Sequence, residues 1–148
     1  MKKYVVLIGA FLLFSIQLLA QAPVYLTKSY NPVDSERYTA YPSLEIEGGG
    51  IWNNCFVLGV INNYHGRASF SLGSKYETIS FIVGTGKSHG KHDPDVVQIH
   101  ADGKRVFEHV VREADLAKHF TLNINGVDKL EFCLLNAQCD VAFCEVAL

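Results

Sequence analysis

The chain has 148 residues, 49% hydrophobic and 19% charged, with a formal net charge of -2. That length suits one domain and can bury a core without depending on cross-links. The mildly acidic balance argues against nucleic acid and against an anionic membrane surface as partners.

The chain opens with Lys2 and Lys3, then an apolar stretch over 4–19 interrupted only by Gly9, Ser15 and Gln17, then Ala20. This is the layout of a secretory signal peptide cleaved near Ala20, and it predicts a secreted, periplasmic or cell-surface protein with no membrane span after cleavage. The competing reading is an uncleaved anchor, but about sixteen apolar residues fall short of the ~20 that span a bilayer, and no basic cluster follows. Removing twenty residues leaves 128, with eleven basic side chains against fifteen acids. Residues 21–148 contain no repeat and no linker, so they are expected to form a single domain.

Past Gln21, helical periodicity is nearly absent, and only 111–119 (VREADLAKH) offers a turn or two of helix. Strands are predicted over 24–30, 44–47, 55–61, 68–72, 78–83, 96–101, 105–111, 120–124, 129–135 and 141–148. Asp102-Gly103 joins two of them, and a two-residue Asp-Gly loop suits a type I′ hairpin because both central positions need positive φ. Around Asn125-Gly126, the apolar Phe120, Leu122 and Ile124 alternate with polar residues, as do Leu130, Phe132 and Leu134, so one face of each strand meets a core. Short strands at roughly ten-residue spacing with Gly and Asp turns predict an all-β antiparallel sandwich or barrel.

All four cysteines, Cys55, Cys133, Cys139 and Cys144, lie in the exported part, where disulfides are permitted and three connectivities are open. A turn centred near Gln138 would place Cys133 and Cys144 opposite each other on adjacent strands. The alternative is that several are small buried apolar side chains. The paired CxxC spacing of a zinc site is absent.

The order of motifs from about Leu44 onward resembles the NPCBM family of carbohydrate-binding modules, which occur beside glycoside hydrolases and in small exported proteins. The pieces that carry the resemblance are LEIEGG from Leu44, the FVLGV step from Phe56, FSLGSKYETISFIVG from Phe70, the IHADGKRVFEHVV hairpin from Ile99 and LNINGVDKLEFCLL from Leu122. The resemblance implies a galactose-binding-like jelly roll with ligand-capable loops at one end and a glycan or polysaccharide as ligand. It also implies a glycoside hydrolase or an envelope protein as partner, and it allows the structural calcium that similar jelly rolls often carry. Asn63 stands where the family has a histidine, with His65 two residues on. The family's C-terminal tryptophan is missing, and Phe143 and Cys144 stand there instead. Residues 51–55 read as a small insertion that holds the single tryptophan.

Sugar recognition needs a flat aromatic face for the C–H surface of the ring and planar polar groups for neighbouring hydroxyls. Two loop stretches supply them: Trp52-Asn53-Asn54, and Asn62-Asn63-Tyr64-His65-Gly66-Arg67. Were they to converge, Trp52 or Tyr64 would be the platform, with Asn63, His65 and Arg67 as donors and acceptors. Against this stands a core role for Trp52 and a turn-forming role for the asparagines. His89, His92, Asp93 and Asp95 carry metal-ligating groups, but in a Gly/Pro loop with Lys91 among them they read better as a solvated turn. Nothing marks a pair of catalytic carboxylates, a nucleophile elbow or a phosphate-binding loop. The reading is an exported, non-catalytic carbohydrate-binding module; its rival is an envelope structural or protein-interaction domain with the same fold and no sugar site.

Overall fold

A computed structural model describes residues 22–46, 50–61, 64–85, 94–112, 115–135 and 138–148. The leader expected over 1–20 lies outside them. One short helix, α1 (Leu26–Ser29), precedes the strands β1 (Asp34–Glu36), β2 (Tyr38–Ile46), β3 (Gly50–Leu58), β4 (Val60–Ile61), β5 (Tyr64–His65), β6 (Arg67–Ser71), β7 (Thr78–Thr85), β8 (Asp95–Ala101), β9 (Lys104–Val111), β10 (Lys118–Asn123), β11 (Lys129–Leu135) and β12 (Val141–Ala147). The first sheet has the order β1-β6-β11-β8-β9 and the second β10-β7-β12-β3-β2, with β4 and β5 as a separate hairpin. Every pairing is antiparallel. This is the expected all-β sandwich of jelly-roll type.

Alternation decides which side chains fill the space between the sheets. Val97, Ile99 and Ala101 of β8 and Leu130, Phe132 and Leu134 of β11 point inward, while the residues between them face out. Five fully buried phenylalanines, Phe56, Phe70, Phe81, Phe132 and Phe143, form the centre. Phe56 stacks on Phe143 at 5.0 Å between centroids, and Phe132 meets both edge-on at 5.1 Å, the offset and T-shaped geometries that aromatic quadrupoles favour. Asp102 (φ 49°) and Gly103 (φ 80°) make the expected tight hairpin between β8 and β9. At Asn125-Gly126 only the glycine has positive φ (77°), and Val127 N–H donates to Ile124 O. That turn passes from β10 in the second sheet to β11 in the first, so it crosses the sandwich and does not close a hairpin.

Several expectations change. Residues 24–30 form no strand: Leu26 enters the core within the short helix, and only Tyr25 bridges Ala147. β2 begins six residues earlier than expected in spite of Pro42, which is tolerated because β2 lies at the edge of its sheet. β1 has three exposed polar residues and no apolar period to announce it. The 51–55 insertion is simply part of β3. Of the 111–119 stretch expected to offer a turn or two of helix, Val111 ends β9 and Lys118 starts β10, with Asp115 N–H donating to Arg112 O between them.

The cysteine pairing is corrected as well. The disulfide joins Cys55 to Cys144 and leaves Cys133 and Cys139 as thiols. Cys133 and Cys144 do not meet because β11 belongs to the first sheet and β12 to the second. Cys133 faces outward on β11 and Cys144 outward on β12, with the whole sandwich between them. Cys144 lies one residue beyond the Phe143↔Phe56 pair, which brings it opposite Cys55 on the neighbouring strand.

Candidate functional site

The β4–β5 hairpin, where the second loop stretch falls, stands at the end of the sandwich reached by the C-termini of β3, β7, β9 and β11. Four contacts fix it. Gly59 N–H donates to Arg37 O at 2.9 Å, and Val60 N–H to an Asp140 carboxylate oxygen at 3.1 Å. Leu134 N–H donates to Gly66 O at 2.9 Å. Gly66 packs so closely on Leu58 and Gly59 that a Cβ there would lie 2.9 Å from each, a distance only glycine avoids. Nearby, the fully buried Asp95 accepts from the backbone N–H groups of Gln138 and Cys139 at 2.7 and 3.4 Å. Asp95 thus ties down Gln138 and Cys139, just ahead of β12. His89, His92 and Asp93 lie outside the described residues.

The sugar-contact candidates do not gather in one place. Tyr64 and His65 form β5, and His65 is half-buried opposite Val60. Asn63 lies outside the described residues. Arg67 starts β6, and its guanidinium is engaged by Asp34 at 3.1 Å and Glu36 at 3.8 Å, both on β1. Trp52 sits toward the other end of β3, six residues from Leu58 at about 3.3 Å each, or roughly 20 Å from the hairpin. There it packs on the outer face of the second sheet against a cluster of Ile46, Cys55, Ile82, Ala142 and Cys144. β3 thus holds Trp52 and the β4–β5 hairpin toward opposite ends.

A second recess was not legible in the sequence. A cavity of about 370 Å³ is lined by Thr27 and Lys28 of α1, Ala40, Tyr41 and Pro42 of β2, and Asn54 of β3. It exists because α1 docks beside an edge strand while Asn54, buried and at φ 51°, interrupts the regular course of β3. Its volume lies within the range of small-ligand sites. Among the described residues no helix is long and apolar enough to cross a membrane.

The model of the NPCBM/NEW2 domain family matches residues 17–142. Among curated proteins, none matches the chain. Similar solved structures include CBM51 from Clostridium perfringens GH95 in complex with methyl-galactose, which is 15% identical at a TM-score of 0.69, with 86% of this chain and 99% of that one covered. CBM51-2 in complex with GlcNAc and INT domains from Clostridium perfringens ZmpB is 10% identical at 0.69, covering 85% and 31%. The tandem CBM51 modules of Sp3GH98, the family 98 glycoside hydrolase from Streptococcus pneumoniae SP3-BS71, are 14% identical at 0.68, covering 86% and 47%. The chain thus spans nearly all of the first structure and less than half of the other two, and at these identities the likeness is one of fold. With the family model covering most of its length and the sandwich in place, the chain belongs to the NPCBM/NEW2 domain family.

Proposed function

We propose that the protein is a non-catalytic carbohydrate-binding module that holds a neutral glycan at the end of the sandwich carrying the β4–β5 hairpin. The observation that carries this reading is the way the hairpin is bolted to both sheets within a family jelly roll. A hairpin anchored at its base through Gly59, Val60 and Gly66 presents its side chains from a fixed platform, so weak polar contacts suffice for recognition. Tyr64 is the stacking platform, and Asn63 and His65 supply the paired hydrogen bonds. Arg67 contributes by holding β1 against β6 through Asp34 and Glu36. Affinity falls in the micromolar to millimolar range, about -8 to -4 kcal/mol. The module acts from the secreted, periplasmic or cell-surface side and delivers a glycoside hydrolase or an envelope partner to its polysaccharide.

A second location is favoured by one observation, the cavity beside Tyr41. A glycan array probed with the wild-type protein, Tyr64→Ala, Asn63→Ala and Tyr41→Ala separates the readings. Loss of retention in Tyr64→Ala and Asn63→Ala, with unchanged unfolding midpoints and a normal Tyr41→Ala, is the expected result. Loss in Tyr41→Ala alone moves the site to the cavity. A wild-type protein that retains no glycan leaves the envelope structural or protein-interaction reading.

A further inference from the structure

On the outer face of the first sheet, His100 of β8 lies directly opposite Glu131 of β11 in the register, with Cys133 two residues further along the same face. One imidazole nitrogen, one carboxylate oxygen and the sulfur all lie within 4.8 Å of one another, and all three side chains are half-buried. We propose that His100, Glu131 and Cys133 form a binding site for a single zinc ion, with water as the fourth ligand.

The donor set selects the metal. A thiolate, an imidazole and a carboxylate together match a borderline-soft cation that accepts tetrahedral geometry, whereas calcium and magnesium prefer oxygen alone. Tetrahedral bonds of about 2.0–2.3 Å place donors roughly 3.3–3.7 Å apart, so side-chain rotations of about an ångström close the set. Positions opposite and two apart on paired strands present their side chains to a common point, and β11 lies at the centre of its sheet, where the backbone is held on both sides.

Neighbouring side chains already orient the ligands. Ser69 Oγ of β6 donates to Glu131 Oε2 at 2.9 Å, and the Cys133 thiol donates to Glu131 Oε1 at 3.3 Å, a bond whose proton the metal would replace. Gln98 Oε1 lies 3.1 Å from His100 Nε2, while Gln98 Nε2 donates to Glu108, which is itself held by Arg105. Such outer partners fix metal ligands. The opposing charges are Lys129, 3.7 Å from Glu131 Oε2 on an exposed side chain that can swing into water as the ion enters, and Arg67, which is paired with Cys133 in the register but has its guanidinium engaged by Asp34 and Glu36.

The test is titration of the purified protein with zinc chloride under conditions that keep Cys133 and Cys139 reduced and the Cys55–Cys144 bond intact. The expected result is one zinc per chain. Its affinity should fall more than about 100-fold in His100→Ala and in Cys133→Ser, and by roughly 10–100-fold in Gln98→Leu, the loss typical of an outer-shell partner. Cobalt loading should produce a thiolate-to-metal charge-transfer band that survives Cys139→Ser and disappears in Cys133→Ser. Circular dichroism of each variant checks that the fold is kept. The proposal is overturned by a wild-type protein that binds no zinc, by a band that survives Cys133→Ser, or by binding lost in Cys139→Ser or in His89→Ala/His92→Ala instead.

Discussion

On the second sheet the outward-facing residues include Cys55, Cys144, Ile46, Ile82 and Ala142, covered by Leu44, Trp52, Val57 and Ala117. On the first sheet they include Ser69, Gln98, His100, Glu131 and Cys133, hydrogen-bonded in two groups, Ser69 and Cys133 to Glu131, and Gln98 to His100 and Glu108. Both faces are built from strands that point alternate side chains into one shared core, yet one face carries a small second core and the other a polar network. Cysteine behaves accordingly. In the apolar patch two cysteines on neighbouring strands are sealed as a disulfide. On the polar face burial and the hydrogen bond to Glu131 push the lone Cys133 thiol up to about 12. Glu131 itself is pushed up by burial, but the hydrogen bonds from Ser69 and Cys133 and the Lys129 charge outweigh this and hold it below its ordinary value. The surroundings of each cysteine, and not the even count, set its chemistry.

The comparison can be broken most directly at the disulfide. Replacing both Cys55 and Cys144 by alanine removes a cross-link that closes 89 residues of sequence separation, and stability in urea unfolding should fall by about 2–5 kcal/mol. A loss below about 1 kcal/mol would mean that the apolar packing alone holds this face. Next in size is Trp52→Ala. A half-buried indole over that cluster should be worth about 2–3 kcal/mol, below the range for a fully buried aromatic, with glycan retention unaffected. Lost retention with unchanged stability would return Trp52 to the sugar-binding role.

The pH dependence of stability sharpens the contrast on the side of β9 and β10. His109 packs against the rings of Phe120 and Phe107 at 4.9 and 6.3 Å. Burial lowers its pKa from 6.5, helped by Lys118 and Arg112 and opposed by Asp115. The folded state therefore resists a proton that the unfolded chain accepts. The stabilisation is fully present above pH 6.5 and is lost as pH falls from there through the lower folded-state value. In His109→Phe that part of the acid-side loss should vanish from chemical-denaturation curves taken across this window. The smallest effect is expected from Arg67→Ala, whose exposed ion pairs to Asp34 and Glu36 should cost no more than about 1 kcal/mol.

The sandwich was legible because Phe120, Leu122 and Ile124 and then Leu130, Phe132 and Leu134 alternate with less apolar neighbours, and because Asp102-Gly103 suits a tight hairpin. β1 and the first half of β2 were not legible, since edge strands bury little and need no apolar period. For the candidate site, the residue types around Tyr64 and His65 were visible as an amide-rich loop, while the anchoring of its base through Gly59, Val60 and Gly66 was not. The cavity beside Tyr41 left no trace in local pattern, because it forms between a one-turn helix and a strand that are joined by neither period nor spacing.

Composition and periodicity by themselves determined an all-β antiparallel sandwich or barrel, because alternation is a local property that each strand carries alone. The motif order added the family. Tertiary structure alone decided which strands share a sheet, and with that which cysteines meet, why Trp52 lies on the disulfide and not beside Tyr64, and how His100, Glu131 and Cys133 converge. Those relations depend on consecutive strands lying in different sheets, β10 and β11 and then β11 and β12, where adjacency in sequence parts from adjacency in space.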